Sequence, residues 1–347
     1  MKKILGVLML CTFLLTLGST ARASTRSWKD SVTGDWSVAT NWVGGVPAVG
    51  DTARINNGTV TLDLSQTVAC VQEGNTTGPA STGTLNISNG SNLTVTGTST
   101  ELFGLLRFTG STATVNHSAG TVKVSNGLGT GEVRLVTGSG VASGTANYNL
   151  SDSAILDTEI LSRGLKSITT ANFNATGGTL VIRNKINKFG RIAEGAGYGF
   201  TQGTCILEIG AIDTVGAITV GDSSNSMDYT FGTGGTLDID IASAASFDTI
   251  LQYGDLCNTT GAILNIDLLG GYTPTVNSFF DIWTFSNKAK AGSGLFASLP
   301  SGWTATWVDT SPVPDGTTDT LRLTYIPEPA TIALLGLGLL AIRRNKK

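Results

Sequence analysis

Histidine occurs once among the 347 residues, at His117. Two-histidine metal centres and the H-E-x-x-H arrangement are excluded, and no neighbour in the sequence equips His117 as a general base. Charge is scarce: 14% of residues are charged, against about 25% in an ordinary soluble domain. Coiled coils, charged disordered chains and basic nucleic-acid binders do not have this composition. The four cysteines form no C-x-x-C pair, so neither a zinc knuckle nor a thioredoxin-type site is supported. There is no G-x-S-x-G elbow and no G-x-x-x-x-G-K phosphate loop. Proline is absent between Pro79 and Pro274, and tryptophan between Trp42 and Trp283.

Glycine is in excess, with 45 residues. It opens a series of short alternating segments: Gly83–Ile87, Gly120–Val124, Gly178–Ile182, Gly203–Leu207, Gly235–Ile239 and Gly261–Asn265, with Gly144–Tyr148 a weaker member. Leu85 and Ile87, Val122 and Val124, and Leu237 and Ile239 alternate with polar residues, the period of a strand with one buried face. The opening glycines recur every 24 to 37 residues, long and short steps alternating. Short β units at such a period predict an all-β chain, a parallel β-helix or β-solenoid. Two β-sandwich domains are the alternative. The proline-free middle fits uninterrupted ladders, because proline cannot donate to them. Trp28, Trp36 and Trp42 precede this middle and Trp283, Trp303 and Trp307 follow it. A solenoid must cover its terminal coils, so these aromatics are expected as caps rather than as sugar-stacking platforms. The expected organisation is a cap at 24–56, repeats at 57–269 and a C-terminal β cap at 270–326.

The two ends read as addresses. Lys2 and Lys3 precede an apolar run from Ile4 to Leu17, and Ala21-Arg22-Ala23 has the small-x-small cleavage pattern. Residues 1–23 are therefore expected to be a secretory signal peptide cleaved after Ala23. At 327–347, Pro327-Glu328-Pro329 is followed by apolar Ala330 to Ile342 and then by Arg343, Arg344, Lys346 and Lys347. This order resembles the PEP-CTERM sorting signal of Gram-negative bacteria that make extracellular polysaccharide. The resemblance implies recognition by an exosortase-type membrane transpeptidase and processing near Pro327-Glu328-Pro329. It also implies a short apolar helix inserted transiently in the inner membrane, its cations on the cytoplasmic side. About 13 apolar residues are short for a permanent span of about 20. The stretch Trp28 to Ile55, and Gly271-Tyr272 with Phe280 to Thr284 further on, resemble the opening and closing segments of exported β-solenoid proteins with autotransporter-like repeats. Without the two ends, 15 basic and 24 acidic residues remain, a net charge near −9. Nucleic acid and anionic membrane are unsuitable partners for that core.

The remaining chemistry is sparse. The mature chain keeps Cys70, Cys205 and Cys257, an odd number, read as buried or incidental. His117 is expected on the surface or in a loop. Asp238 and Asp240 share one strand face, at a separation within the range of a glycosidase pair and suitable for helping to hold calcium. Alternation alone predicts a solvated outer face for them. Asp222, Asn225 and Asp228 form an acidic loop without regular calcium spacing. Arg183, Lys185, Lys188 and Arg191 form a basic patch, read as a solvated strand end. Asn75, Asn86, Asn92 and Asn174 stand in Asn-x-Ser/Thr triplets and are expected in surface loops. T-x-T pairs occur at Thr59/Thr61, Thr94/Thr96 and Thr112/Thr114. They do not recur once per coil in the sequence, so no flat threonine array of the ice-binding kind is expected. No catalytic residue, metal or cofactor is assigned. The expectation is a non-enzymatic structural or adhesive protein of the cell surface or extracellular matrix, with extracellular polysaccharide as its partner. A β-helical carbohydrate-active enzyme is the alternative and an ice-binding protein the minor one.

Overall fold

The computed structural model describes residues 23–74, 81–98, 101–106, 109–137, 143–164, 170–187, 199–223, 226–254, 256–286, 291–310 and 319–326. The chain is a parallel β-solenoid. Each coil of its middle feeds three parallel ladders. One ladder is a separate six-stranded sheet: Val32–Asp35, Gly58–Thr61, Thr82–Ile87, Ser111–His117, Gly144–Leu150 and Thr170–Ala175. A four-stranded sheet, Gly199–Thr201, Asp228–Thr230, Leu256–Asn258 and Ala291–Ser293, serves the later coils. The other two ladders belong to a single twenty-stranded sheet. The ten-residue strand Ile155–Gly164 joins them, pairing with Thr121–Val124 at its start and with Glu132–Val136 at its end. Parallel pairing between successive coils of the middle, with one local antiparallel hairpin at Ser246–Phe247, excludes the β-sandwich alternative, whose sheets are antiparallel.

The ladders explain the irregular glycine spacing. Gly120, Gly178, Gly203, Gly235 and Gly261 precede strands of the large sheet, whereas Gly83 and Gly144 lie in the six-stranded sheet. The steps from Gly83 to Gly178 thus mix two ladders, whereas those from Gly178 to Gly261 follow one ladder through coils of variable length. Gly120 shows why glycine stands at such a corner. Its φ is 77°, and a Cβ there would lie 2.2 Å from the Ser91 carbonyl oxygen.

Inward residues stack on their counterparts in the next coil. Val60, Leu85, Val115, Tyr148 and Phe173 are in register and buried. The aromatic part of this column continues from one sheet into the next: Tyr148 stacks on Phe173 at 5.7 Å, Phe173 meets Phe200 at 5.8 Å, Phe200 meets Tyr229 at 5.3 Å, and Tyr229 meets Trp283 at 5.0 Å. Such contacts stabilise beyond the area they bury, by about 0.5–1.5 kcal/mol per pair. At the N-terminal side Trp28, Trp36 and Trp42 are buried, with Trp42 edge-on to both others at 5.0 and 4.9 Å. At the C-terminal side the strands Phe279–Phe285, Trp303–Val308 and Thr320–Tyr325 pair antiparallel.

His117 departs from expectation. It ends an inward-facing row and is 1% exposed, not in a loop. Its Nδ1 lies 3.1 Å from the Tyr148 hydroxyl and its Nε2 3.0 Å from the Gly120 carbonyl oxygen. Burial lowers its pKa to about 4. The imidazole is a neutral core group that closes a hydrogen-bond path. Glu73 is fully buried in the same core, and burial raises its pKa well above the usual carboxyl range. Cys205 and Cys257 are buried thiols and Cys70 is half-buried.

Candidate functional site

The outward side of the six-stranded sheet is built by alternation. In Thr82–Ile87, Ser111–His117, Gly144–Leu150 and Thr170–Ala175, every second side chain packs inward and the others are threonine or asparagine. Register then sorts the outward residues into three rows along the solenoid axis. The first holds Thr82, Thr112, Thr145 and Thr170. The second holds Thr33, Thr59, Thr84, Thr114, Asn147 and Asn172. The third holds Asp35, Thr61, Asn86, Asn116, Asn149 and Asn174. Neighbours in a row are about 4.8 Å apart and adjacent rows about 6.6 Å, the spacings of a parallel sheet.

The asparagines are tied into ladders. Asn116 Nδ2 donates to Asn86 Oδ1 at 2.9 Å, Asn149 to Asn116 at 2.8 Å, and Asn174 to Asn149 at 2.9 Å. In the adjoining row Asn172 donates to Asn147 at 2.8 Å. An amide has two N–H donors and two acceptor lone pairs. Each interior asparagine of the ladder therefore keeps one donor and one acceptor for an outside partner, with its orientation set. Apart from Asp35 on the first strand, the rows carry no charge.

The rows form a mixed threonine–asparagine array that the T-x-T pairs alone do not imply. Thr59/Thr61 and Thr112/Thr114 do stand on one face, whereas Thr94 belongs to Leu93–Val95 in another ladder. A search for T-x-T misses the face because asparagine replaces threonine in later coils. The shared signal is T-L-N-I at 84–87, T-V-N-H at 114–117, N-Y-N-L at 147–150 and N-F-N-A at 172–175. Asn86 and Asn174 accordingly lie in strands rather than loops, and Asn75 lies outside the described residues.

A second surface lies in the later coils. Asp238 and Asp240, on Thr236–Ser243, are registered with Asn265 and Asp267 of the next strand. They are not solvated as alternation predicted: Asp240 is 3% exposed, Asp238 is half-buried, and neighbouring Glu208 and Asp248 are buried. Asp248 accepts from the Gly216 N–H at 2.6 Å and the Asp240 N–H at 2.8 Å. Asp238 Oδ1 and Asp240 Oδ2 accept no hydrogen bond. Burial first, then the neighbouring carboxylates, raise Glu208 to about 8 and Asp238 to about 6. Burial, with repulsion from Asp240 and Asp238, raises Asp248 to about 7 despite its two backbone donors. No basic side chain among the described residues forms an ion pair with these four carboxyls. The patch can store protons near neutral pH. Among the described residues no group of three or more His, Cys, Asp or Glu side chains is placed to hold a metal ion.

The other candidates disperse. Arg183 makes a two-pronged pair with Asp157 at 2.5 and 2.6 Å, and Lys185 pairs with Asp222 at 3.1 Å. Those residues are consumed internally; Lys188 and Arg191 lie outside the described residues. Asp228 accepts from the Leu256 N–H and Asp222 from Lys185 and Asn187, so the two acids are occupied separately. Asn225 lies outside the described residues, as do Ala21, Pro327, Glu328 and Pro329, and Arg343 and Arg344, together with the expected C-terminal helix; Ala23 is exposed at the start of the described residues. No helix among the described residues is long and apolar enough to cross a membrane.

The fold and its repeated outward rows define an all-β parallel solenoid. The PEP-CTERM protein-sorting motif matches residues 326–347. Motif and fold together fit a PEP-CTERM protein with β-solenoid repeats, and the motif indicates an exported protein sorted and processed by an exosortase. No curated protein and no solved structure matches the chain.

Proposed function

We propose that this is a non-enzymatic structural or adhesive protein of the Gram-negative cell surface or extracellular matrix, associated with the cell's exopolysaccharide. Residues 1–23 are removed as a signal peptide. The C-terminal apolar stretch dwells in the inner membrane only until processing near Pro327-Glu328-Pro329. The tryptophan-rich segments at 24–56 and 270–326 cap the core. The observation that carries the reading is the union of the sorting motif with a long, uncharged hydroxyl and amide face. Many weak hydrogen bonds spread over a repeating surface suit adhesion to a repeating polymer.

The test is co-sedimentation of the exported protein with the producing cells' own extracellular polysaccharide, with and without calcium. Saturable binding is expected. Absence of binding under both conditions would refute the association and leave a scaffold whose partner is protein. A second reading, a carbohydrate-active enzyme, draws support from Glu208 and Asp248, whose pKa values near neutral suit proton transfer. Polysaccharide turnover that disappears in Asp238→Asn would favour it over adhesion.

A further inference from the structure

The geometry points to a specific occupant for the threonine–asparagine face: a neutral, extended glycan chain lying along the solenoid axis, in the trough between the two long rows. This inference rests on the polysaccharide association proposed above and names its surface and its ligand class.

Three features of the face select that ligand. The first is charge. The rows are uncharged beyond Asp35, while the chain between its two addresses is acidic. An anionic glycan would meet a repulsive field and find no cation in the rows, so a neutral polyol is the complementary partner. The second is period. Rows of like residues repeat at the strand spacing of about 4.8 Å. An extended chain whose sugars advance by about that distance meets one neutral pair of threonine or asparagine side chains at each step from Thr59/Thr61 to Asn172/Asn174. A coiled glycan falls out of phase within a few residues. The third is pre-organisation. The Asn149 side chain is fixed from both sides, donating to Asn116 and accepting from Asn174. Its remaining donor and acceptor face outward without loss of rotamer freedom on binding. With no aromatic platform in the rows, affinity comes from summed polar contacts. It should therefore grow with chain length until the six strands are spanned.

The test uses the full chain and defined oligosaccharides by calorimetry. Cellohexaose is expected to bind at least tenfold more tightly than cellotriose and than maltohexaose, which is also neutral but coiled. An alginate hexamer, which is anionic, is expected not to bind. Asn116→Asp combined with Asn149→Asp is expected to reduce cellohexaose affinity at least tenfold with an unchanged circular dichroism spectrum. If that pair fails to fold, Thr112→Lys with Thr145→Lys obstructs the adjoining row, and the length and linkage series on the unmodified chain stands by itself. Equal binding of maltohexaose or alginate, or full binding by a folded double variant, overturns the assignment. In that case retained co-sedimentation with the native polysaccharide would place the glycan contact elsewhere on the protein. Loss of co-sedimentation as well would refute the broader association. Thermal hysteresis without binding of any glycan would give the face to an ice lattice and overturn the assignment too.

Discussion

Asn86, Asn116, Asn149 and Asn174 stack along one ladder of the early coils and hydrogen-bond to one another. In the later coils Glu208, Asp238, Asp240 and Asp267 crowd together on another ladder and repel. The backbone rule is the same in both places: a parallel coil sets outward residues beside their counterparts in the next turn. An amide is donor and acceptor at once, so a row of amides satisfies itself. An ionised carboxylate only accepts, so a row of carboxylates must hold protons or bear the repulsion. One half of the solenoid thus presents a neutral face whose state does not depend on pH. The other presents a patch that titrates.

The largest test of this contrast is Glu208→Gln. The carboxyl is buried, and its pKa is raised to about 8. An amide there should stabilise the protein by about 3 kcal/mol at pH 8 and have little effect at pH 4. Urea unfolding at the two pH values measures the difference. Equal values at both would mean that the patch is solvated after all.

Next is the pH profile of the unmodified protein. Glu208, Asp248 and Asp238 have folded pKa values raised above their unfolded ones. The native state therefore holds protons that the unfolded chain has released. Their stabilising contribution is complete below about pH 4 and is lost as pH rises through about 6 to 8. His117 works in the opposite direction: its pKa is lowered to about 4, so its contribution is present above about pH 6.5 and lost as pH falls. Three carboxyls outweigh one imidazole, so the melting temperature should fall between pH 5 and pH 8. A rise over that interval would contradict the assignment of the patch.

A smaller effect is expected from converting the neutral face into the acidic one. Asn149→Asp removes a donor from the middle of the ladder and places a charge between two amides. It should cost about 1–2 kcal/mol at pH 7 and less at pH 3, where the acid can donate again. Smallest is Tyr148→Phe, which leaves the aromatic column but deprives His117 Nδ1 of its partner. A loss of about 1 kcal/mol is expected in thermal unfolding. The imidazole pKa, followed by NMR, should remain low, because burial rather than the hydroxyl is its main cause.

Much of the architecture was legible. Alternation at Leu85/Ile87, Val122/Val124 and Leu237/Ile239 identified strands with one buried side, and all six residues are buried. Glycine corners and the proline-free middle pointed to a solenoid. The site was far less legible. Coil length varies, so the rungs Asn86, Asn116, Asn149 and Asn174 stand 30, 33 and 25 residues apart. A fixed period does not align them. His117 looked like a polar-stretch residue because its neighbours Asn116 and Ser118 are polar. On a strand those neighbours point to the other side. Asp238 and Asp240 looked solvated because alternation sets the face of a residue and not what covers that face.

Composition and alternation by themselves determined that this chain forms strands and which residues turn inward, and the order of Pro327-Glu328-Pro329, apolar stretch and basic cluster carries the tail's resemblance to a sorting signal. These are local properties, set by backbone period and by the order of residue types. Tertiary structure decided which outward residues touch. Only the winding made a ladder of Asn116 and Asn149, a core group of His117, and a proton store of Glu208 and Asp248. Contact across a parallel ladder depends on register between coils, and register is set by how much chain each corner absorbs, a quantity no single window of sequence contains.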